Sequence, residues 1–242
     1  MPMLWGVLFK CNGPINFNKL VSKSNFPWLF SILIFSSLDL FFWATDMASY
    51  RLGTLPFLIP LFGGLFWETL KRGQSLMLAL LFCWVGDVLL LHDTNHLLQI
   101  LSVSSYLMAQ FLFIDVLLKR INVFSGSSFF MGILFFGAYL IIFFSHIYSY
   151  LEDMKFIGLA YGFTLSFLGC LSIMRFFQHQ TWKRFSLFLG VLLFSGRDVM
   201  LTYNKYFFDY DYFILGIGLT YPIALFFILA YFRQSNQLKS EP

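Results

Sequence analysis

The sequence predicts an all-α integral membrane protein, a bundle of eight transmembrane helices. Of its 242 residues, 59% are hydrophobic and only 12% are charged, whereas soluble domains carry about 25% charged residues. The mean hydropathy is +0.75, and apolar runs near the ~17 to 25 residues that span a bilayer recur along the chain. Inside hydrocarbon, helices satisfy their own backbone polar groups. The composition therefore excludes a soluble domain and a disordered one.

Eight apolar runs set the predicted domain organisation. An N-terminal cytoplasmic or interfacial segment (1–25), without the features of a cleaved signal peptide, precedes a transmembrane domain (26–232) and a cytoplasmic tail (233–242). The second run contains Pro56 and Pro60, so we expect a kink in it. The loops are short and polar, which predicts that consecutive helices are antiparallel. The predicted helices are 26–45, 54–70, 75–92, 96–118, 123–145, 154–177, 184–203 and 211–232.

The distribution of Lys and Arg predicts the orientation. Twelve of the 16 basic residues fall on one side of the eight-helix path, whereas Arg51, Lys155 and Lys205 fall on the other and Arg197 lies inside a helix. By the positive-inside rule, both termini are expected in the cytoplasm. In a bacterium, this multi-pass protein would lie in the inner (plasma) membrane. The net charge of +4 is thus attributed to the Lys and Arg residues that orient the protein in the membrane, and no nucleic-acid partner is predicted.

Four charged residues lie in the hydrocarbon, away from the ends of the predicted spans: Asp39, Asp87, Asp198 and Arg197. A charge at the centre of a transmembrane helix costs at least ~2.5 to 3.5 kcal/mol, so each needs a partner, a wet cavity or a function. At 1.5 Å rise per residue, the three aspartates lie roughly 18 to 21 Å from the cytoplasmic ends of their helices. They should therefore meet at one level, in the outer half of the membrane.

Two interpretations of these charges remain open from the residues alone. In the structural one, Arg197 neutralises an aspartate in a buried ion pair that fixes helix packing, and Asp39 lies at a wet helix end. In the functional one, Asp87 and Asp198 beside one base differ in protonation, so that one acts as a proton donor and the other as an anion.

Other polar residues are candidates for contacts with a substrate. Tyr106, Tyr203 and Tyr221 can line a polar pocket or simply pack, and Gln110 can instead tie two helices together. The three cysteines form no CxxC pair, and a loop separates His92 from His96, so neither a metal nor a cofactor is predicted. The motifs GxSxG, HExxH and a phosphate-binding glycine loop are missing from the sequence, which disfavours a serine hydrolase or a P-loop enzyme.

Two segments around the key aspartates resemble the YhhN and TMEM86 family of eight-helix membrane proteins. Gly-Asp-Val-Leu-Leu-Leu at 86–91 is similar to the Gly-Asp-x-x-Leu segment in the third helix of the family. The seventh-helix pattern is matched by Gly-Val-Leu-Leu-Phe at 190–194, Asp-Val-Met-Leu at 198–201 and Asn-Lys-Tyr at 204–206. Helix number, length and short loops agree with the family over nearly the whole chain after residue 26.

Four positions depart from the family pattern. The family usually has Ser where Arg197 stands, His where Gln110 aligns, Gln near Leu225, and Lys where Leu55 precedes the second-helix proline. Both aspartates are retained while several accompanying polar groups are not. The substrate or the activity can therefore differ from that of the family.

The resemblance implies a lysoplasmalogenase, which hydrolyses the vinyl ether bond of a lysoplasmalogen to a fatty aldehyde and a glycerophospho head group. Asp87 and Asp198 would act as acid and base, and Arg197 would bind the substrate phosphate. The implied partners are this ether lysophospholipid and membrane lipids; the oligomeric state is left open. The alternative is a non-catalytic lipid-binding protein or proton-coupled carrier that uses the same aspartates, and a third reading is a structural protein.

Overall fold

The protein is described by a computed structural model that covers residues 25–45, 47–71, 73–92, 95–121, 123–178, 180–207 and 211–237. These ranges contain helices and no strand. Almost all of the predicted N-terminal segment, and the predicted tail beyond residue 237, lie outside the described residues. The principal helices are α1 (Phe26–Ala44), α2 (Leu55–Leu65), α3 (Gln74–Leu90), α4 (His96–Leu118), α5 (Gly126–Gly132, a π-helical turn Ile133–Gly137, and Ala138–Ile147), α6 (Lys155–Gln178), α7 (Trp182–Tyr206) and α8 (Asp211–Gln237).

Within the described residues, six helices are long and apolar enough to cross a membrane: α1, α4, α5, α6, α7 and α8. The helix α3 is apolar but has 17 residues. The helix α2 has 11 residues and contains Pro60. It ends because Phe66 leaves the helical conformation (φ −108°, ψ 19°), and a single turn, Trp67–Leu70, follows. The break in the second predicted helix therefore lies at Phe66, beyond the prolines at which the sequence predicts a kink.

The helices pack as a ring. Going round it, α1 packs on α2, α2 on α3, α3 on α4, α4 on α6, α6 on α7, α7 on α8, and α8 returns to α1. The pairs α3–α4 and α7–α8 make the most extensive contacts. The helix α5 lies outside this order and packs mainly against α6. Consequently, α3, α4, α7 and α8 hold their side chains in tightly paired faces, and the buried Asp87 of α3 and the buried Arg197 and Asp198 of α7 lie on these helices.

Small residues let two of these pairs approach closely. A Cβ on Gly190 of α7 would lie 3.1 Å from the backbone oxygen of Ala224 and 3.1 Å from the nitrogen of Ile228, both in α8. A Cβ on Gly132 of α5 would lie 2.7 Å from Cα of Cys170 in α6. Glycine at such positions increases the van der Waals contact between helices, which drives helix association in lipid.

Candidate functional site

A cavity of about 570 Å³ opens at one end of the bundle. Its lining residues come from the C-terminal halves of α1, α3, α5 and α7 and from the N-terminal halves of α2, α4, α6 and α8, so consecutive helices pass it in opposite directions. Its lining includes apolar side chains, among them Phe143, Phe144 and several leucines. It also includes charged groups and phenols: Asp39, Arg51, Arg197, Asp198, Lys205, Tyr106, Tyr139, Tyr161, Tyr206 and Tyr221. The cavity is therefore amphipathic.

Asp198 on α7 lines this cavity and is 8% exposed. The hydroxyl of Tyr161, from α6, donates a hydrogen bond of 2.5 Å to its Oδ2. The Nη1 of Arg197 donates to its Oδ1 at 3.3 Å. Both carboxylate oxygens thus have a fixed donor, which holds the carboxyl group in one orientation at the cavity wall.

Asp87 on α3 is completely buried and is not among the residues that line the cavity. The hydroxyls of Tyr106 on α4 and Tyr221 on α8 donate hydrogen bonds to its Oδ1 and Oδ2, respectively. Tyr106 and Tyr221 do line the cavity. The two phenols therefore lie between Asp87 and the cavity, and Asp87 reaches it only through them and through Arg197.

Arg197 connects the two aspartates. Its Nη2 lies 3.9 Å from Oδ1 of Asp87, its Nη1 contacts Asp198, and its guanidinium carbon lies 4.3 Å from the ring centroid of Tyr221. The side chain is 4% exposed, and its Nε has no hydrogen-bond partner among the described residues. The structure therefore brings Asp87, Asp198 and Arg197 together in one cluster, whereas Asp39, which the matched helix depths predict at the same level, pairs with other residues.

The residue before Asp87 allows Tyr106 to approach. A Cβ on Gly86 would lie 2.9 to 3.0 Å from the ring of Tyr106, closer than real Cβ contacts permit. Ser102, one turn before Tyr106 on α4, donates a hydrogen bond of 2.8 Å to the carbonyl oxygen of Gly86. The Gly-Asp pair of the sequence motif therefore has a packing reason: glycine opens the space through which the phenol reaches the carboxylate.

Asp39 forms a separate cluster on the same cavity wall. Arg51 donates to its two carboxylate oxygens at 3.2 and 3.3 Å, and the Thr54 hydroxyl donates to Oδ1 at 2.9 Å. The Arg51 guanidinium also lies 4.0 Å from the ring centroid of Trp43. The sequence places Arg51 in a loop between the first two predicted helices and does not predict this pairing. The helical turn Ala48–Arg51 and the return of the chain to Thr54 produce it.

Gln110 and Tyr203, the other two predicted substrate contacts, do not line the cavity. Gln110 on α4 accepts a hydrogen bond from Thr164 on α6, so it ties these helices together. Tyr203 packs in an aromatic group, with ring centroids 5.1 Å from Phe207 and 6.4 Å from Phe143. A substrate role for either residue stays a prediction, and no contact with the cavity supports it.

The fold and the site together define the class. Several apolar helices are long enough to span a membrane, and they enclose an acid-lined amphipathic cavity, so this is a multi-pass membrane protein with a polar site inside its helical bundle. The family model described as the YhhN family matches residues 50–232. The chain therefore belongs to the YhhN family, which confirms the resemblance seen in the motifs. No curated protein and no solved structure matches the chain.

The matched region includes most of the site. Asp87, Asp198 and Arg197 lie within residues 50–232, as do the phenols of Tyr106, Tyr161 and Tyr221. Asp39 lies before the match, although its partners Arg51 and Thr54 lie inside it. The cluster around Arg197 is thus contained in the family-defining part of the chain.

Proposed function

We propose that this protein hydrolyses the vinyl ether bond of a lysoplasmalogen and releases a fatty aldehyde and a glycerophospho head group. The observation that carries the proposal is the position of Asp198, which is held by Tyr161 and Arg197 at the wall of an amphipathic cavity. The cavity volume of about 570 Å³ lies in the range of small-molecule sites, about 300 to 1,000 Å³. Membership of the YhhN family supports the same conclusion.

Asp198 in its acid form supplies the proton. It protonates the alkene carbon remote from the ether oxygen, which leaves an oxocarbenium ion like that managed by glycosidases. The resulting carboxylate then takes a proton from a water molecule as the water oxygen bonds to the cationic carbon. The hemiacetal that forms breaks its bond to the glycerol oxygen, which takes up a proton. The balance is one water consumed, one aldehyde and one alcohol released.

Asp87 acts from behind the cavity wall. Its carboxylate accepts from Tyr106 and Tyr221 and lies near Arg197, so it orients both phenols and the guanidinium. Its negative charge also favours the cation that forms in the cavity, because electrostatic interactions are strong in a site from which water is excluded. Arg197 in turn stabilises the Asp198 carboxylate left after proton transfer.

The two kinds of lining residue fit the polarity of the substrate. Its single alkenyl chain lies beside apolar residues such as Phe143 and Phe144, while its head group lies at the charged residues. Arg197 is shared by two carboxylates and is 4% exposed, whereas Arg51 pairs with Asp39 alone and its side chain is 15% exposed. Arg51 and Lys205 are therefore better placed for the phosphate, with Asp39 able to meet an ammonium group on the head group. This differs from the sequence-based assignment of the phosphate to Arg197.

We further propose that α2 and α3 also cross the membrane, which gives eight crossings with the basic end of the bundle in the cytoplasm. The support is that both helices take places in the ring between α1 and α4, and that most basic residues of the described part of the chain stand at helix ends opposite the cavity: Lys71, Lys119, Arg120, Arg175, Lys183, Arg184 and Arg233. Fusions of a reporter to each loop, read for cytoplasmic or external activity, test the number of crossings and the orientation.

The decisive experiment gives purified protein a lysoplasmalogen and follows aldehyde release. Wild type is compared with Asp198→Asn, Asp87→Asn and a control, Asp115→Asn, whose carboxylate is paired with Lys119 at the far end of α4. The matching alkyl ether lysolipid, which lacks the double bond, should give no aldehyde. Turnover by wild type and the control, with loss in both site variants, supports the proposal. No turnover by folded wild-type protein would reject it.

The alternative is a lipid-binding bundle without catalysis. It is favoured by one observation: Asp87 is completely buried and both of its oxygens already accept hydrogen bonds, as in a structural ion cluster. Saturable binding of the lysolipid by folded wild type, with no aldehyde released, would support this function instead.

A further inference from the structure

The end of the bundle away from the cavity carries a basic cluster, which consists of Arg120, Arg175, Lys183 and Arg184 around Tyr231. The Nη2 of Arg175 lies 3.5 Å from the Tyr231 hydroxyl, and Nζ of Lys183 lies 5.8 Å from its ring centroid. Arg184 donates to the carbonyl oxygen of Arg175 at 3.1 Å. These four cations come from the adjoining ends of α4, α6 and α7, and Tyr231 comes from α8.

The cations repel one another. Arg120, Arg175 and Arg184 all lie close enough to Lys183 to act electrostatically on its charge, and Arg175 acts on Arg120 and Arg184. No carboxylate of the described residues lies within ion-pair distance of Arg175, Lys183 or Arg184. The Nε of Arg175 is buried and has no hydrogen-bond partner among those residues. This combination is unfavourable without an anion.

The positions of Lys183 and Arg184 add to the positive potential of the basic cluster. Lys183 and Arg184 stand in the first turn of α7, a helix of 25 residues whose Thr181 side chain accepts only from the Arg184 N–H. Helix N-termini carry a partial positive charge and orphan N–H groups, so they attract anions and disfavour cations. The first turn of α7 therefore adds its own positive potential to that of the cluster.

We propose that the basic cluster binds the phosphate of an acidic phospholipid. The partner is a membrane lipid because the cluster is formed at the adjoining ends of apolar helices, where a lipid head group lies when the chains cover the helix faces. Basic pockets between transmembrane helices bind such head groups. The faces of Tyr231 and of Phe232, which lies 4.8 Å below the Arg120 guanidinium, hold the cations in place.

Titration of the purified wild type with phosphatidylglycerol and phosphatidylcholine, followed by native mass spectrometry, tests the proposal. We expect phosphatidylglycerol to bind at least about tenfold more tightly than phosphatidylcholine, because about 1 kcal/mol is gained for each basic residue near an acidic lipid. Equal affinity for both lipids would overturn it. Inorganic phosphate that binds as tightly as phosphatidylglycerol would also overturn it, because the site would then serve a soluble anion.

Variants localise the binding. Lys183→Gln alone and Arg175→Gln with Arg184→Gln should weaken phosphatidylglycerol binding by roughly fivefold and 30-fold, respectively. The control Lys119→Gln removes a basic residue at the same end that is already paired with Asp115 and is exposed, and should bind as wild type does. If the double variant does not fold, the single variant and the lipid comparison decide. Equal weakening by Lys119→Gln would mean that general positive surface charge binds the lipid, and it would overturn the proposal of a specific site.

Discussion

Tyr161 donates a hydrogen bond of 2.5 Å to Oδ2 of Asp198, the carboxylate oxygen opposite to the one that Arg197 contacts. The phenol comes from α6 and the carboxylate from α7, so the bond also joins two helices that form part of the cavity wall. Proton delivery by Asp198 requires its carboxyl group to keep one orientation, and this pair of contacts supplies it.

Replacement of Asp198 by Asn should abolish proton donation while keeping the size of the side chain. We expect kcat for aldehyde release to fall at least about 100-fold, the lower end of what general acid–base catalysis contributes. Steady-state assays with lysoplasmalogen in detergent or vesicles measure it. Asp115→Asn, at the opposite end of the bundle, should retain wild-type turnover. An Asp198→Asn protein with normal kcat would remove this residue from the mechanism.

Replacement of Tyr161 by Phe removes one hydrogen bond and leaves the ring. The carboxyl group of Asp198 loses a fixed donor, so we expect kcat to fall about tenfold, which corresponds to a hydrogen bond to a charged group. KM should change little because the cavity keeps its shape. A change in KM alone would show that the phenol binds the substrate and does not orient Asp198. Tyr203→Phe, outside the cavity lining, is the matched control.

Replacement of Arg197 by Gln should lower the free energy of unfolding. The substitution leaves Asp87 and Asp198 without their shared cation, and breaking a buried ion pair from one side costs about 3 to 5 kcal/mol. Thermal or denaturant unfolding in detergent measures the change. Lys119→Gln, which breaks an exposed pair, should unfold almost as wild type does. Equal stability of the Arg197 variant and wild type would mean that the guanidinium does not hold the two carboxylates.

Replacement of Gly86 by Ala should disturb Tyr106. The new methyl group would lie 2.9 to 3.0 Å from the phenol ring, so the ring must move away from Asp87, at a cost of about 1 to 3 kcal/mol for overpacking. Unfolding experiments measure the loss. Gly196→Ala is a matched control, because a Cβ there meets nothing within 4 Å. If both alanine variants unfold alike, the space at Gly86 is not needed by Tyr106.

Helix positions followed from the sequence because lipid imposes a length on apolar runs. The prediction for α4 agrees at both ends, and those for α1, α6 and α8 agree at their starts to within one residue. Length could not show that α2 stops at Phe66, because Phe is as apolar as its neighbours and the break is a matter of backbone conformation. Within the described residues, six helices are therefore long and apolar enough to span a membrane, and α2 and α3 are shorter.

The meeting of Asp87, Asp198 and Arg197 was also predictable, from equal depth on α3 and α7, which run in the same direction. Which aspartate faces the cavity was not, because this depends on how Tyr106 and Tyr221 pack over Asp87. The pairing of Asp39 with Arg51 was missed for a related reason. Residue spacing gives height along a helix, whereas a partner from a loop depends on where the chain turns back.

The cluster around Arg197 holds two acids and one base, all three of them buried. If both acids are ionised, their charges exceed that of the guanidinium by one, and no other cation of the described residues lies within ion-pair distance of either carboxylate. An electrically neutral cluster therefore carries one additional bound proton or binds a positively charged ligand.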